Sequence, residues 1–289
     1  MSKHITNFIN VTRLNKPIGF LLLFWPCTWG LSLAFYFDKN FNTFCYYLIL
    51  FFLGSVLMRS AGCIVNDIVD EKIDRKVSRT KNRPIASGKV SVFKALVYVF
   101  ILCIFAFLVL INFNNLTIIF AIASMPFAFT YPLMKRFTYW PQLFLGFTFN
   151  YGLILAWISI HESISLSAIL LYMGAIFWTL GYDTIYGYQD IKDDEIIGVK
   201  STSIKFKKNP KKILNIFYSI FFLSLIILGY LMSFNILYFL LLLVPFFHLF
   251  IYQINKLEVK DPDNCLRLFK SNNLFGLLVY LNLLIGKIL

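Results

Sequence analysis

Residues 213–232 read ILNIFYSIFFLSLIILGYLM and contain no charged side chain. A short interruption, residues 233–235, separates this stretch from residues 236–252, which also lack Asp, Glu, Lys and Arg. A helix of about 20 predominantly apolar residues is long enough to cross the hydrocarbon core of a bilayer. The pattern therefore predicts two consecutive membrane-spanning helices.

The rest of the chain has the same character. Of its 289 residues, 59% are hydrophobic and only 14% are charged, whereas soluble domains contain about 25% charged residues. No soluble domain or long linker interrupts the apolar stretches, so we predict one all-α integral membrane domain over residues 1–289. The nine predicted membrane helices are 17–37, 44–64, 93–112, 116–134, 141–160, 165–182, 213–232, 236–253 and 273–287.

Basic residues are concentrated in every second connection between these helices, and Lys39 is the only basic residue in the remaining connections. Cytoplasmic loops of membrane proteins are enriched in Lys and Arg. The N-terminus is therefore predicted to be cytoplasmic and the C-terminus to lie on the other side. The basic connections are 67–89, 135–136, 192–212 and 256–270, and those without Lys or Arg are 112–115, 161–163 and 233–235.

Several classes of partner and site are disfavoured. The formal net charge of +13 is spread over the cytoplasmic loops, so it indicates membrane topology and attraction to anionic lipid rather than nucleic-acid binding. The five cysteines include no CxxC pair, which argues against a disulfide framework or a zinc site. No signal peptide or Arg-rich presequence is recognisable, so we expect a bacterial inner-membrane protein rather than a mitochondrial precursor.

Two acid-rich segments end two of the predicted helices: residues 66–74 (NDIVDEKID) and residues 183–194 (DTIYGYQDIKDD). A carboxylate at mid-membrane costs about 2.5–3.5 kcal/mol on insertion scales, so such clusters lie at wet ends, in cavities or on cations. They follow the second and sixth helices, which run in the same direction. This suggests a parallel repeat of helices 1–4 and 5–8, with both segments at one cytoplasmic-side cavity.

Oxygen-bearing side chains recur in each segment at spacings of four or seven residues, which align them on one face of a helix. Mg²⁺ is bound by carboxylate and amide oxygens and often bridges them to substrate phosphates. The alternative is that these acids are helix-end charges paired with neighbouring Lys and Arg. The predicted metal ligands are Asn66, Asp70, Asp74, Asp190 and Asp194, and Asp67 and Asp183 lie in the same segments.

Basic residues around the acids suit a diphosphate, because Arg forks onto phosphate oxygens and Lys supplies a point charge. Each one alone is equally typical of a cytoplasmic loop. Arg59 differs, since it interrupts an apolar helix two turns before Asn66; it would bind a substrate carboxylate or pair with Asp67. The predicted substrate-binding residues are Arg59, Asn66, Lys81, Arg83, Tyr131, Lys135, Arg136, Asp183, Tyr186 and Lys200.

These motifs resemble the UbiA superfamily of membrane prenyltransferases, and the resemblance runs almost from end to end. Its two aspartate-rich motifs correspond to residues 66–74 and 190–194. Departures are small: Asn15 stands where an Asp is common, and Lys270 where related enzymes often carry Arg. Further matching motifs are residues 13–19 (RLNKPIG), 59–63 (RSAGC), 82–84 (NRP), 131–138 (YPLMKRFT), 198–202 (GVKST) and 268–272 (LFKSN).

The resemblance implies nine membrane helices around a central cavity, Mg²⁺ dependence, and transfer of a polyprenyl group from polyprenyl diphosphate to 4-hydroxybenzoate in ubiquinone biosynthesis. The new bond would form at the ring carbon ortho to the hydroxyl. Arg59 would hold the acceptor carboxylate, and a motif acid such as Asp67, or the diphosphate, would take the ring proton. The implied catalytic residues are Asp67, Asp70, Asp74, Asp190 and Asp194.

Two alternatives remain open from the sequence. A member of the same superfamily could use another acceptor, such as haem, a naphthoate, chlorophyllide or a glycerol phosphate. A cation transporter could use intramembrane acids as an ion pathway. A transporter would place its acids at mid-membrane in discontinuous helices, whereas these acids lie at helix ends among basic loops.

Overall fold

The computed structural model describes residues 3–286, and within this range all regular elements are helices. The nine predicted membrane helices are confirmed. The helical segments of this range that are long and apolar enough to cross a bilayer are Ile18–Asp38, Phe41–Val69, Val92–Leu110, Asn115–Arg136, Pro141–His161, Leu166–Ile197, Pro210–Leu231, Ile236–Ile254 and Pro262–Ile285.

Short elements extend or interrupt several of these segments. One 3₁₀ turn covers Tyr131–Arg136, another covers Tyr188–Asp190, and a π-helix covers Phe247–Ile254. In chain order the α-helices are α1 (Lys3–Thr12), α2 (Ile18–Asp38), α3 (Phe41–Val69), α4 (Glu71–Asp74), α5 (Val92–Leu110), α6 (Asn115–Thr130), α7 (Pro141–His161), α8 (Leu166–Gly187), α9 (Ile191–Ile197), α10 (Thr202–Lys205), α11 (Pro210–Leu231), α12 (Ile236–Leu241), α13 (Leu243–Phe246) and α14 (Pro262–Ile285).

The last membrane helix differs most from its prediction. It was predicted over residues 273–287 but begins at Pro262; its predicted last residue, 287, lies outside the described residues. The side chain of Asp261 accepts hydrogen bonds from the amides of Asp263 and Asn264 and caps the helix, and proline is favoured at a first helical position. Charged residues in the first turns lower the local hydropathy, which concealed this start.

The N-terminal helix α1 was not predicted. It packs against α3, where Val11 is buried beside Ala61 and Ile64. The next residue after α1, Arg13, has a φ of 57°, a left-handed conformation that is uncommon for a residue with a side chain. The chain therefore turns sharply between α1 and α2, and this turn directs Arg13 toward the end of α3.

A densely packed core joins α2, α7, α8, α11 and α14. The ring centroids of Trp29 and Trp178 lie 5.0 Å apart, and both rings stack on Phe221. At Gly30, an added Cβ would lie 2.3 Å from the carbonyl oxygen of Leu153, so α2 and α7 approach at backbone distance. Small residues commonly allow such contacts between membrane helices.

The opposite side of the bundle is loosely packed. Helix α5 packs against α3 and α6 packs against α7, but α5 and α6 make little contact with each other although a short turn connects them. A cavity lies between these helices. The proposed parallel repeat of helices 1–4 and 5–8 stays a prediction.

Candidate active site

The first acid-rich segment lies where α3 ends. Helix α3 carries Asn66 and Asp67, Asp70 follows it, and Asp74 ends α4. The amide of Asp70 donates to the carbonyl of Asn66 at 2.9 Å, and the amide of Asp74 donates to the carbonyl of Asp70 at 2.8 Å. Helical hydrogen bonding thus continues past the end of α3 and preserves the predicted four-residue spacing.

Two arginines neutralise the buried carboxylates of this segment. Asp67 is 2% exposed and Asp74 is 5% exposed, and a buried charge is costly unless it is paired. Arg13 donates to Asp67 Oδ1 at 2.5 Å. Arg83 donates to the same oxygen at 3.1 Å and to Asp74 Oδ2 at 2.7 Å. The alternative partner considered for Asp67, Arg59, does not occupy this position.

Asp70 has a different environment. Lys135 Nζ donates to its Oδ2 at 2.5 Å, while its Oδ1 is buried and has no hydrogen-bond partner among the described residues. Burial raises the pKa of Asp70 above its ordinary value, and the charge of Lys135 opposes that rise. The neighbouring Arg136 donates to the carbonyl of Val69 at 2.6 Å. The turn after α6 is therefore held directly against the first segment.

The second acid-rich segment continues from α8 through a 3₁₀ turn into α9. Arg79, which follows the first segment in the chain, donates from Nε to both carboxylate oxygens of Asp190 at 2.7 and 3.0 Å. Its Nη1 donates to the hydroxyl of Tyr186 at 3.1 Å. The amide of Ser78 donates to Asp193 Oδ2 at 2.9 Å. The loop after α4 thus joins the two segments.

Other oxygen atoms in the two segments have no bonded partner. Among the described residues, the side chains of Asn66, Asp183 and Asp194 form no hydrogen bond or ion pair. Lys135 lies within electrostatic range of Asp194 as well as bonding to Asp70. The oxygens without partners therefore come from both segments, and Lys135 lies between Asp70 of the first segment and Asp194 of the second.

This donor set fits a hard divalent cation bound together with an anionic ligand. Within residues 3–286, no three His, Cys, Asp or Glu side chains lie close enough to hold a metal by themselves. However, the unpartnered Oδ1 of Asp70 and the free oxygens of Asn66 and Asp194 are the atoms that Mg²⁺ prefers. Since Mg²⁺ usually retains waters and bridges carboxylates to phosphates, a full protein cage is not required.

The remaining predicted residues are distributed around these segments. Lys81 is exposed. Lys200 donates to the carbonyl of Phe137 at 3.2 Å and lies over the Tyr139 ring. Direct or shared contacts link Asp67, Asp70, Asp74, Arg83, Lys135 and Arg136 around the first segment and Tyr186 and Asp190 in the second. Asn66 and Asp194 belong to the same two segments, and Lys81 and Lys200 lie on the adjoining loops.

Arg59 lies deeper, inside the bundle. Its guanidinium stands 4.9 Å from the centre of the Phe149 ring, and its Nε is buried without a hydrogen-bond partner among residues 3–286. A Cβ at Gly19 would lie 2.9 Å from that Nε, so the glycine leaves the space that Arg59 occupies. Asp183 lies within electrostatic range of Arg59. A half-buried arginine whose Nε is buried and unused is suited to bind an anionic group.

Arg59 and Tyr131 also line one end of the cavity between α2, α3, α5, α6 and α7. Its volume is about 300 Å³, which is at the lower end of the range for ligand pockets. Most of its other lining side chains are apolar, among them Met58, Phe107 and Met125. The arrangement joins charged groups at a helix end to an apolar compartment inside the bundle.

The sequence did not assign specific roles to Arg13 and Arg79. From the sequence, Arg13 indicates membrane topology and Arg79 is one of several loop cations compatible with a phosphate, because nothing in their local spacing distinguishes them from their neighbours. Their partners are 54 and 111 positions away in the chain. Only the three-dimensional packing of α1 and of the loop after α4 reveals these pairs.

Comparison with known sequences identifies related proteins over nearly the whole chain. The model of the UbiA prenyltransferase family matches residues 23–279. The chain is 42% identical over 282 residues to the mitochondrial 4-hydroxybenzoate polyprenyltransferase of Bos taurus, covering 97% of this chain and 75% of that protein. It is 39% identical over 290 residues to the mitochondrial 4-hydroxybenzoate polyprenyltransferase of Arabidopsis thaliana, covering 99% and 70% of the two chains.

Solved structures share the fold. A UbiA homolog from Aeropyrum pernix K1 superposes with a TM-score of 0.76 at 22% identity, covering 92% of this chain and 97% of that one. A UbiA homolog from Archaeoglobus fulgidus, solved with GPP and Mg²⁺ bound, gives a TM-score of 0.73 at 15% identity, covering 97% and 98%. At these identities the likeness shows the architecture alone.

Proposed function

The chain belongs to the UbiA prenyltransferase family, and we propose that it transfers a polyprenyl group from polyprenyl diphosphate to 4-hydroxybenzoate. One observation carries this proposal: two acid-rich segments, joined by basic side chains, adjoin a mainly apolar cavity that ends at Arg59. These features match the three parts of the reaction, which are a diphosphate, an isoprenoid chain and a carboxylate-bearing acceptor. The relatives named 4-hydroxybenzoate polyprenyltransferase support the choice of acceptor.

We place the diphosphate between the two segments. Asn66, Asp70, Asp74, Asp190 and Asp194 are the residues that would hold Mg²⁺. Bound there, Mg²⁺ would neutralise the charge that develops on the departing diphosphate. Lys81, Arg83, Lys135, Arg136 and Lys200, with the hydroxyls of Tyr131 and Tyr186, would contact the remaining oxygens. Because Arg83, Lys135 and Arg136 are held by hydrogen bonds before the ligand arrives, they would stabilise developing negative charge with little reorganisation.

Asp67 has a positioning role in this account. It is buried and accepts from both Arg13 and Arg83, so it orients two cations and is poorly placed to accept a proton. This refines the expectation that Asp67 serves as the base. Arg83 in turn connects Asp67 to Asp74, which fixes the end of α3 relative to α4.

The acceptor is proposed to lie at the Arg59 end of the cavity. Arg59 would bind its carboxylate, and Phe149 beneath the guanidinium would keep water out. The allylic carbon–oxygen bond breaks, and the ring carbon ortho to the hydroxyl forms the new carbon–carbon bond. That carbon then loses its proton to the diphosphate or to Asp183, whose carboxylate makes no hydrogen bond or ion pair with the described residues.

We also propose a location and a metabolic role. The protein would lie in a bacterial inner membrane, with its N-terminus and both acid-rich segments on the cytoplasmic side, and its product would enter ubiquinone synthesis. Connections rich in Lys and Arg alternate with connections that carry at most one basic residue, and this alternation supports the orientation. The relatives themselves are named as mitochondrial proteins. Accessibility of single cysteines introduced at Lys81 and at Asn235 to a membrane-impermeant thiol reagent tests the orientation.

The catalytic proposal is tested with membranes that contain the protein, radiolabelled 4-hydroxybenzoate and solanesyl diphosphate. We expect a lipid-soluble labelled product with Mg²⁺ and none with EDTA. Parallel reactions with 1,4-dihydroxy-2-naphthoate test the choice of acceptor. Product from the naphthoate but not from 4-hydroxybenzoate would reject the acceptor while keeping the prenyltransfer.

A further inference from the structure

The apolar cavity extends well beyond the site of reaction. It reaches from Arg59 to Leu50 along α3, which corresponds to about 14 Å at the rise of an α-helix. Across from α3 it is lined by Phe149 and Gly152 of α7 and by Thr117 of α6. Its charged end lies beside the proposed acceptor site, so the cavity and that site are continuous.

The cavity also opens sideways. Phe107 of α5 and Ile122 of α6 both line it, and their side chains are 52% and 53% exposed. The two helices make little contact with each other. Residues that line a cavity and are half exposed on facing helices mark the edges of an opening, and in this protein that opening would face lipid.

Two glycines of α3 that line the cavity have unfilled space in front of them: Gly62, toward the first acid-rich segment, and Gly54, beyond Arg59. Gly54 lies on α3 between Arg59 and Leu50 and lines the cavity, and a Cβ added there meets no atom within 4 Å. By contrast, a Cβ at Gly152 on the opposite wall would lie 2.4 Å from the sulfur of Cys27. The absence of a side chain at position 54 is therefore not required by helix packing.

We propose that Gly54 determines which donor chain lengths the enzyme accepts, by leaving room for the isoprenoid tail on its way to the opening between α5 and α6. This inference rests on the proposed function. Gly54 lies about 7.5 Å along the helix from Arg59 and about 18 Å from Asn66, where the diphosphate is proposed to bind. Two extended isoprene units span only about 10 Å. A short donor would end before Gly54, whereas a long donor must pass it.

An isoprenoid chain suits this cavity better than other ligands. The walls past Arg59 are mainly apolar, so they offer favourable burial to a hydrocarbon. The hydroxyls of Ser124 and Thr148 donate to backbone carbonyls of their own helices, which leaves few groups to bind a polar ligand. Since the cavity spans only part of α3, the far end of a long tail would leave through the side opening into lipid. The cavity would then contact only the first isoprene units of the donor, and additional units would not affect binding.

The test is a graded series at one position: Gly54→Ala, Gly54→Leu and Gly54→Phe. The matched control is Ile49→Phe, which adds bulk to α3 on a side chain that is 60% exposed and absent from the cavity wall. Alanine and leucine have higher helix propensity than glycine, so the first two variants should fold. Turnover of 4-hydroxybenzoate is measured with geranyl diphosphate and with solanesyl diphosphate as donors.

We expect the ratio of geranyl to solanesyl turnover to rise with side-chain size and to reach at least about tenfold over wild type in Gly54→Phe, as for other steric discriminations. Ile49→Phe should keep the wild-type ratio. An unchanged ratio across the series, with wild type active on both donors, would overturn the inference and show that the donor tail does not pass Gly54. Inactive wild type would instead reject the proposed function.

Discussion

The two acid-rich segments carry similar side chains but are held differently. In residues 66–74, Asp67, Asp70 and Asp74 are at most 5% exposed, and each is paired with a cation. In residues 183–194, Asp190 is 15% exposed and its partner Arg79 is 38% exposed.

This difference in burial and pairing indicates that the two segments have separate roles. The acids of the first segment are compensated by cations of the protein itself, which makes that segment a fixed part of the structure with one free oxygen on Asp70. The second segment keeps the carboxylates of Asp183 and Asp194 free of hydrogen bonds and ion pairs within the described range. It therefore supplies charge that a bound cation or substrate would satisfy.

The largest expected effect comes from Asp70, whose Oδ1 is buried without a hydrogen-bond partner among the described residues. Asp70→Ala should lower turnover of 4-hydroxybenzoate by about 10³-fold, because it removes a proposed metal ligand and leaves Lys135 without its partner. Initial rates in membranes check this, with insertion verified by protease protection. The control is Asp38→Asn, an exposed acid in a different helix, α2. Near-normal rates in Asp70→Ala would remove the first segment from the metal site.

The second prediction compares the two segments in stability. Arg83→Met leaves Asp67 and Asp74 without a shared partner, and loss of one member of a buried ion pair costs about 3–5 kcal/mol. Arg79→Met removes a more exposed partner of Asp190 and should cost about 0–1 kcal/mol. Denaturant unfolding in detergent micelles measures both variants. Equal losses in the two variants would show that the segments are held alike.

The third prediction concerns the bridge between the segments. Arg79→Gln should fold normally and lower turnover by about tenfold, because it breaks the contact between the loop after α4 and Asp190 while leaving the acids in place. A double-mutant cycle with Asp190→Asn measures the coupling in turnover. Additive effects of the two substitutions would contradict a bridging role.

The smallest effect is expected at Glu71, which lies within the first segment but outside its buried row. Glu71 pairs with Arg75 at 2.5 Å, one turn along the chain, and both side chains are partly exposed, 28% and 56%. Such pairs contribute about 0.3–0.5 kcal/mol. Glu71→Gln should therefore leave turnover unchanged and stability almost unchanged. A loss of turnover close to that of Asp70→Ala would mean that burial does not distinguish the acids of this segment.

The sequence predicts the membrane helices well because hydropathy is a local property. Where polar residues begin a helix, as at Pro262, the same property misplaces the boundary, and the capping by Asp261 is the better signal. Helix α1 escaped notice because it is short and only partly apolar. Its importance comes from burial of Val11 against α3, a contact that no local pattern reveals.

The site was predictable in its residue types but not in its pairings. Spacing identified the acids, yet it could not show that Arg83 connects Asp67 to Asp74 or that Lys135 binds Asp70. These contacts depend on how the loop after α4 and the turn after α6 fold against α3. They join residues between 9 and 65 positions apart in the chain, so local spacing carries little information about them.

The most direct test of the account is Mg²⁺-dependent binding of geranyl diphosphate to the detergent-purified protein, measured by equilibrium dialysis. The account predicts that wild type binds the donor with Mg²⁺ and loses it in EDTA, and that both Asp70→Ala and Asp194→Asn abolish the Mg²⁺-dependent part. Binding by wild type that is equally tight in EDTA, or unchanged in both variants, would contradict the claim that the two segments hold a metal and a diphosphate together.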